Sequence, residues 1–145
     1  MKILGIISIV FMTLSTLAFG LESEGNIVVN MHNFRNDDGK VHVSLFASKE
    51  GFPEKSEKAS NTISSKIKDQ KSTVTFKNIP FGVYAISIIH DENSNFQMDY
   101  SWLHIPKEGY GASNNVTANL GPPKFNDAQF ELNSGDISVN IKIQY

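Results

Sequence analysis

The segment Asp91-Glu92-Asn93-Ser94-Asn95-Phe96-Gln97-Met98-Asp99 has the residue types and spacing to hold a hard cation. Oxygen-bearing side chains fall on Asp91, Asn93, Asn95 and Asp99, at positions 1, 3, 5 and 9 of the segment, and Gln97 at position 7 could add its backbone carbonyl. Ca²⁺ takes about six to eight oxygen ligands, and this alternation can wrap them around one point. Two positions depart from the usual pattern. Phe96 stands where the sharp turn of such loops prefers Gly, and Trp102 stands where a bidentate Glu would complete the set. Asp91, Asn93, Asn95, Gln97 and Asp99 thus form a candidate Ca²⁺ loop, with Glu92 or Glu108 as further carboxylates. The competing reading is a polar loop whose side chains cap their own backbone.

A second constellation runs from Ile105 to Asn115. Its glycines allow backbone to come close to something, and Lys107, Glu108 and Tyr110 offer polar contacts to a ligand or partner. It has no GxxxxGK[ST] spacing, so it is not a phosphate loop. His90 beside Asp91 could be a base with its orienting carboxylate, and a hydrolase would draw on His90, Asp91, Asp99 or Glu108. Adjacent strand residues point to opposite faces, however, so a direct pair is not implied. His32 and His42 flank one loop and could face each other, but two histidines do not make a zinc site. Without Cys, GxSxG or HExxH, no standard nucleophile is identifiable. Asn115-Val116-Thr117 matches an N-glycosylation acceptor.

Strands must position these loops, because apolar residues recur with period two. Ile27, Val29 and Met31 alternate with Val28, Asn30 and His32, and Val41, Val43 and Leu45 with His42, Ser44 and Phe46. The Asn33–Lys40 stretch between them, rich in Asn, Asp and Gly, predicts a hairpin. Thr62–Ile67 and Ser72–Lys77 predict a second pair turned by Asp69-Gln70-Lys71, and Gly82–His90 a long strand. Val116–Leu120 and Ala128–Leu132 are weaker candidates, while Ile137, Val139, Ile141 and Ile143 mark the clearest half-buried strand. Helical signal is confined to Pro53–Ala59. Pro80 and Gly82 turn the chain into the long strand, where Tyr84 reads as a structural corner. Seven or eight short strands imply an all-β, antiparallel two-sheet sandwich, immunoglobulin-like or transthyretin-like. The stretch from Asp91 to Asp127 reads as an ordered excursion at one end, since it is long yet rich in aromatics.

Residues 1–20 have a positive start at Lys2, an uncharged apolar run and small residues at Ala18 and Gly20, the layout of a secretory signal peptide. Residues 21–145 then form a single β-sandwich domain, periplasmic or extracellular, without stable membrane insertion. The formal charge of −2 becomes about −3 once Lys2 is removed, and no basic patch points to nucleic acid. With no Cys, stability must come from packing or a bound ion.

Several segments carry a resemblance when read in order: Gly51-Phe52-Pro53, Phe76 to Ala85, His90-Asp91-Glu92-Asn93, Ile105 to Gly111 and Gly121-Pro122-Pro123-Lys124-Phe125. Together they resemble the exported bacterial family catalogued as domain of unknown function 2141, over Gly25 to Tyr145. The resemblance implies a secreted or periplasmic β-sandwich and no particular activity. Glycines usual in the family's Asp-Glu-Asn loop are replaced here by Ser94 and Phe96. The turn-and-Tyr segment is also similar to transthyretin-like and carboxypeptidase-regulatory-like modules, a fold-level analogy. The expected function is a non-enzymatic binding or structural module, presenting residues 91–127 to Ca²⁺, a ligand or a protein partner. A hydrolase using His90, Asp91 and Glu108 is the alternative, and a small outer-membrane barrel is a third reading.

Overall fold

The computed structural model describes residues 23–117 and 121–145. The expected signal peptide and residues 118–120 of the weak strand candidate lie outside these; Val116 and Thr117 are not in a strand. Eight strands form in chain order: β1 (Glu24–His32), β2 (Lys40–Phe46), β3 (Asn61–Ser65), β4 (Lys71–Pro80), β5 (Gly82–Asp91), β6 (Gly109–Ala112), β7 (Phe130–Leu132) and β8 (Ile137–Lys142). A short helix α1 (Phe125–Ala128) precedes β7, and 3-10 turns cover Ser56–Lys58 and Ser113–Asn115.

The strands pack as two sheets. One has the order β4-β1-β8; the other runs β3-β2-β5-β6, with β7 pairing the start of β5. The alternation seen in the sequence decides which face is inside. Ile27, Val29 and Met31 of β1 meet Val41, Val43 and Leu45 of β2 and Ile86 and Ile88 of β5 in one core, together with Val74, Phe76, Ile141 and Ile143. Removing each such side chain from water is worth about 1.5–3 kcal/mol. A smaller cluster lies on the other face of the five-stranded sheet, where Ala85, Ala112 and Ala128 are covered by Phe52, Val116 and Phe125. The rings of Phe46, Phe52 and Phe125 meet edge to face there, with centroids 5.3 and 5.8 Å apart. The two sheets do not close on each other, so the barrel reading is overturned.

Neither expected strand pair forms, although the chain does reverse tightly at Asp69-Gln70, where Lys68 and Lys71 exchange backbone hydrogen bonds at 2.9 and 3.1 Å. β1 and β2 lie in different sheets, because the Asn33–Gly39 connection crosses the end of the core and buries Phe34 there. Stacked sheets are about 10 Å apart, a span that suits a seven-residue loop better than a tight turn does. β3 and β4 separate in the same way: β3 pairs with β2 and β4 with β1, with Ile67 buried at the crossing. The second departure is β8, which runs parallel to β1 from Ile27↔Ile137 to His32↔Lys142. The remaining ladders are antiparallel as expected. Tyr84 closes its corner by donating its hydroxyl to the Pro80 carbonyl at 2.8 Å, while Gly82 does not use a left-handed backbone.

Candidate functional site

Asp91 is the last residue of β5 and its side chain lies on the outer face of the five-stranded sheet, fully buried beneath the loop that follows. Its Oδ1 accepts the Asn95 N–H at 3.1 Å, and its Oδ2 accepts the Phe96 N–H at 2.8 Å. Oδ2 also meets His42 Nε2 at 2.9 Å, and His42 Nδ1 lies 2.7 Å from Ser64 Oγ. The sheet register makes this possible. His42 and Ser64 are directly opposite across β2 and β3, and Asp91 stands two residues beyond Ile89, the partner of His42 on β5. Burial alone would push the Asp91 carboxyl up, but the hydrogen bonds from His42, Phe96 and Asn95 together hold it below the usual carboxylate range.

The rest of the candidate Ca²⁺ loop folds around this anchor. Asn93 and Asn95 donate their amides to the two Asp99 carboxylate oxygens at 2.6 and 3.2 Å. The Asn95 N–H is shared with Asn93 Oδ1 at 3.0 Å, and the Gln97 N–H donates to Asn95 Oδ1 at 2.8 Å. Ser94 and Phe96 take φ of 61° and 64°, the conformation glycine would supply without strain. The structure therefore brings Asp91, Asn93, Asn95 and Asp99 into one loop, while Gln97 enters through its backbone. Asp91 is fully engaged with protein donors, and among the described residues no group of three His, Cys, Asp or Glu side chains could hold a metal ion.

The second set of candidates has a different role from that expected. Glu108 is buried and accepts the Glu92 N–H at 2.9 Å and the Asp99 N–H at 3.2 Å, so it ties together the two ends of the 92–99 loop. Tyr110 lies in β6 and bridges to Gln144 through backbone. Gly109 and Gly111 do admit a close approach, but what approaches is the chain's own C-terminal segment. A Cβ at Gly109 would lie 2.7 Å from Ile143 and the Tyr145 ring, and one at Gly111 would lie 2.9 Å from Ile141. Lys107 is the exposed member of the set, and its carbonyl accepts Arg35 Nη2 at 3.1 Å.

The hydrolase set His90/Asp91/Glu108 does not assemble, because His90 points to the core face, away from Asp91. Its Nε2 donates to the Asp38 carbonyl at 2.9 Å, which leaves Nδ1 to accept the Tyr145 hydroxyl at 2.8 Å. Arg35 completes this end of the core, with its backbone N–H on the Tyr145 hydroxyl and its guanidinium 4.7 Å from the ring centre. His32 is exposed and does not meet His42. Asn115, the glycosylation candidate, uses its side chain on the edge of β8: it accepts the Lys142 N–H at 2.8 Å and donates to the Asn140 carbonyl at 3.3 Å.

The most exposed part of the excursion is apolar. Trp102 is 88% exposed, Phe96 71%, Ile105 58%, Leu103 57% and Tyr100 41%, all within ten residues of chain. The braces beneath them are polar: Asp91 under Phe96, Glu108 under Asp99, and backbone bonds Lys107 N–H to Asp99 O and Ser101 N–H to Ile105 O, both 2.8 Å. Sequence reasoning noted these aromatics as a sign of order, but not that they would face water. The same reasoning set His42 against His32 and missed its link to Ser64 and Asp91, which lie far from it along the chain.

Comparison with known proteins places one family on the chain: the model described as "Uncharacterized protein conserved in bacteria (DUF2141)" matches residues 29–140. No curated protein and no solved structure matches. Among the described residues no helix is long and apolar enough to cross a membrane.

Proposed function

The chain belongs to the bacterial DUF2141 family, and from that premise we propose that it is an exported binding module whose 91–108 loop presents an apolar tip to a protein partner. The observation that carries this reading is the exposure of Phe96, Tyr100, Trp102, Leu103 and Ile105 in one short segment. Single exposed apolar residues are ordinary, but a run of five large ones is the mark of an interaction surface. Trp and Tyr are also enriched among the residues that anchor interfaces. The hydrogen bonds of Asp91 and Glu108 hold the tip in shape before binding, which lowers the entropy cost of docking. Export rests on the leader-like residues 1–20 and localises the module to the periplasm or the extracellular space.

A photo-cross-linking amino acid placed at Leu103 tests this in the native cell. One discrete adduct is expected there, absent when the same group replaces exposed Ser138 and lost when Trp102→Ala is added. Adducts that are equal at both positions, or missing at Leu103, would sink the proposal.

The calcium reading has one observation in its favour, the convergence of the Asn93 and Asn95 side-chain amides on the Asp99 carboxylate, at 2.6 and 3.2 Å. If the loop takes Ca²⁺, the melting temperature must rise with millimolar Ca²⁺ and not with Mg²⁺ at equal ionic strength. An unchanged melting curve ends that reading and leaves the docking role intact.

A further inference from the structure

The outer face of the five-stranded sheet carries a chain of hydrogen bonds that starts from the carboxylate bracing the tip and leads away from it: the Asp91 carboxylate, the His42 ring and Ser64 Oγ, joined at 2.9 and 2.7 Å. Exposure rises along it. Asp91 is buried, the His42 side chain is 18% exposed, and Ser64 is exposed on β3, the edge strand of its sheet. The proton positions follow from the partners. An ionised carboxylate can only accept, so His42 Nε2 carries the hydrogen and Nδ1 presents its lone pair to the Ser64 O–H. A hydroxyl, a base and a buried carboxylate that fixes the base's tautomer are the parts of an activated serine, which is recognised by geometry and role rather than by sequence order. The ring is turned the opposite way from that of the familiar serine hydrolases, with Nδ1 rather than Nε2 facing the hydroxyl. The Phe96 ring lies 5.1 Å from the His42 ring, tilted by 34°, and supplies an apolar wall beside the pair.

We propose that Ser64 is a nucleophile activated by His42 and Asp91, and that it accepts acyl groups from small activated esters. In the first step Ser64 Oγ bonds to the ester carbonyl carbon while its proton moves to His42 Nδ1. The carbon–oxygen bond to the leaving alcohol then breaks, and that alcohol takes the proton from Nδ1. Water attacks the acyl-Ser64 ester by the same route, giving the carboxylic acid and restoring the hydroxyl. Asp91 holds the imidazolium that forms in each half-reaction. Open access at the sheet edge, where Ser64 is exposed, fits small esters of low selectivity.

p-Nitrophenyl acetate is the probe. The purified protein should release p-nitrophenol and carry a transient acetyl group on the peptide that contains Ser64. Ser64→Ala should remove that acetyl group, and His42→Gln should slow its formation about 100-fold, the low end of general-base catalysis. Ser64→Ala removes only an exposed hydroxyl, so its melting temperature should match the parent's and keep the test valid if His42→Gln unfolds. Equal rates in the parent and Ser64→Ala, or acetyl groups confined to lysines, would overturn the proposal.

Discussion

Replacing Asp91 by Ala should cost about 3 kcal/mol or more and lower the melting temperature by about 10 °C. Three donors converge on this carboxylate: the N–H groups of Asn95 and Phe96, and His42 Nε2. Alanine leaves all three without an acceptor beneath a closed loop, and each unsatisfied buried donor costs about 1–3 kcal/mol. Part of that cost is recovered if the loop opens and water reaches the freed groups, which is why the estimate stays near the low end. The loop itself should then lose order, exposing its amides to hydrogen exchange while the core strands stay protected. Asp91→Asn, which keeps one acceptor oxygen, should fall between the two. Acidity should act on the same carboxylate. Its pKa is lower in the folded protein than in the unfolded chain, so its contribution is complete above the ordinary carboxylate range. That contribution is lost as the pH falls from about 4 through the depressed value. Urea titrations at several pH values should therefore show a steeper acid limb for the parent than for Asp91→Asn. Identical limbs would mean that the anchor contributes nothing.

Gly39→Ala should be equally damaging, through the backbone. Gly39 has φ of +64°, and a Cβ there would sit 1.9 Å from the Asp91 carbonyl oxygen and 2.8 Å from Glu92. No rotamer change can relieve a collision with main chain, so the loop before β2 and the end of β5 must part. We expect a loss of about 3 kcal/mol or more, at the upper end of ordinary point mutations. Gly135→Ala is the matched control. Its φ is +59°, yet no atom lies within 4 Å of the added carbon. It should lose only the left-handed preference of glycine, about 1 kcal/mol. Chemical denaturation of both variants separates collision from conformation; equal losses would show that the predicted clash is relieved without cost.

The fold was legible where one face of a strand is buried along its whole length. Ile27, Val29 and Met31, and again Ile137 to Ile143, carry a period of two because the core selects every second side chain. Partner choice was not legible. Asn33–Lys40 has hairpin composition, yet it bridges two sheets, and nothing local distinguishes a tight reversal from a crossing except the burial of Phe34. The parallel pairing of β8 with β1 was missed for a related reason, since no short connection announces it. In the candidate site, the hydrogen-bonded loop around Asp91 could be read from its Asn and Asp spacing. His42 could not, because it lies 49 residues away and reaches Asp91 only through the β2–β5 register. Glu108 was read as a ligand contact, but a buried carboxylate that accepts two backbone N–H groups has no signature in sequence. The tip was hardest of all: aromatic residues in a loop argue for burial, and here they face outward.

The union of β1 with β8 joins residues 110 positions apart, as in the pair Asn26 and Asp136. A growing chain therefore cannot finish its three-stranded sheet until residues 137–142 have been made. Until then Ile27, Val29 and Met31 lack their final neighbour and β1 keeps a naked edge. Assembly of this half should be slow and should lag behind the β2–β5 half, whose contacts are closer along the chain. A nascent protein arrested before Ile137 would be the species most exposed to proteases and to pairing with other chains.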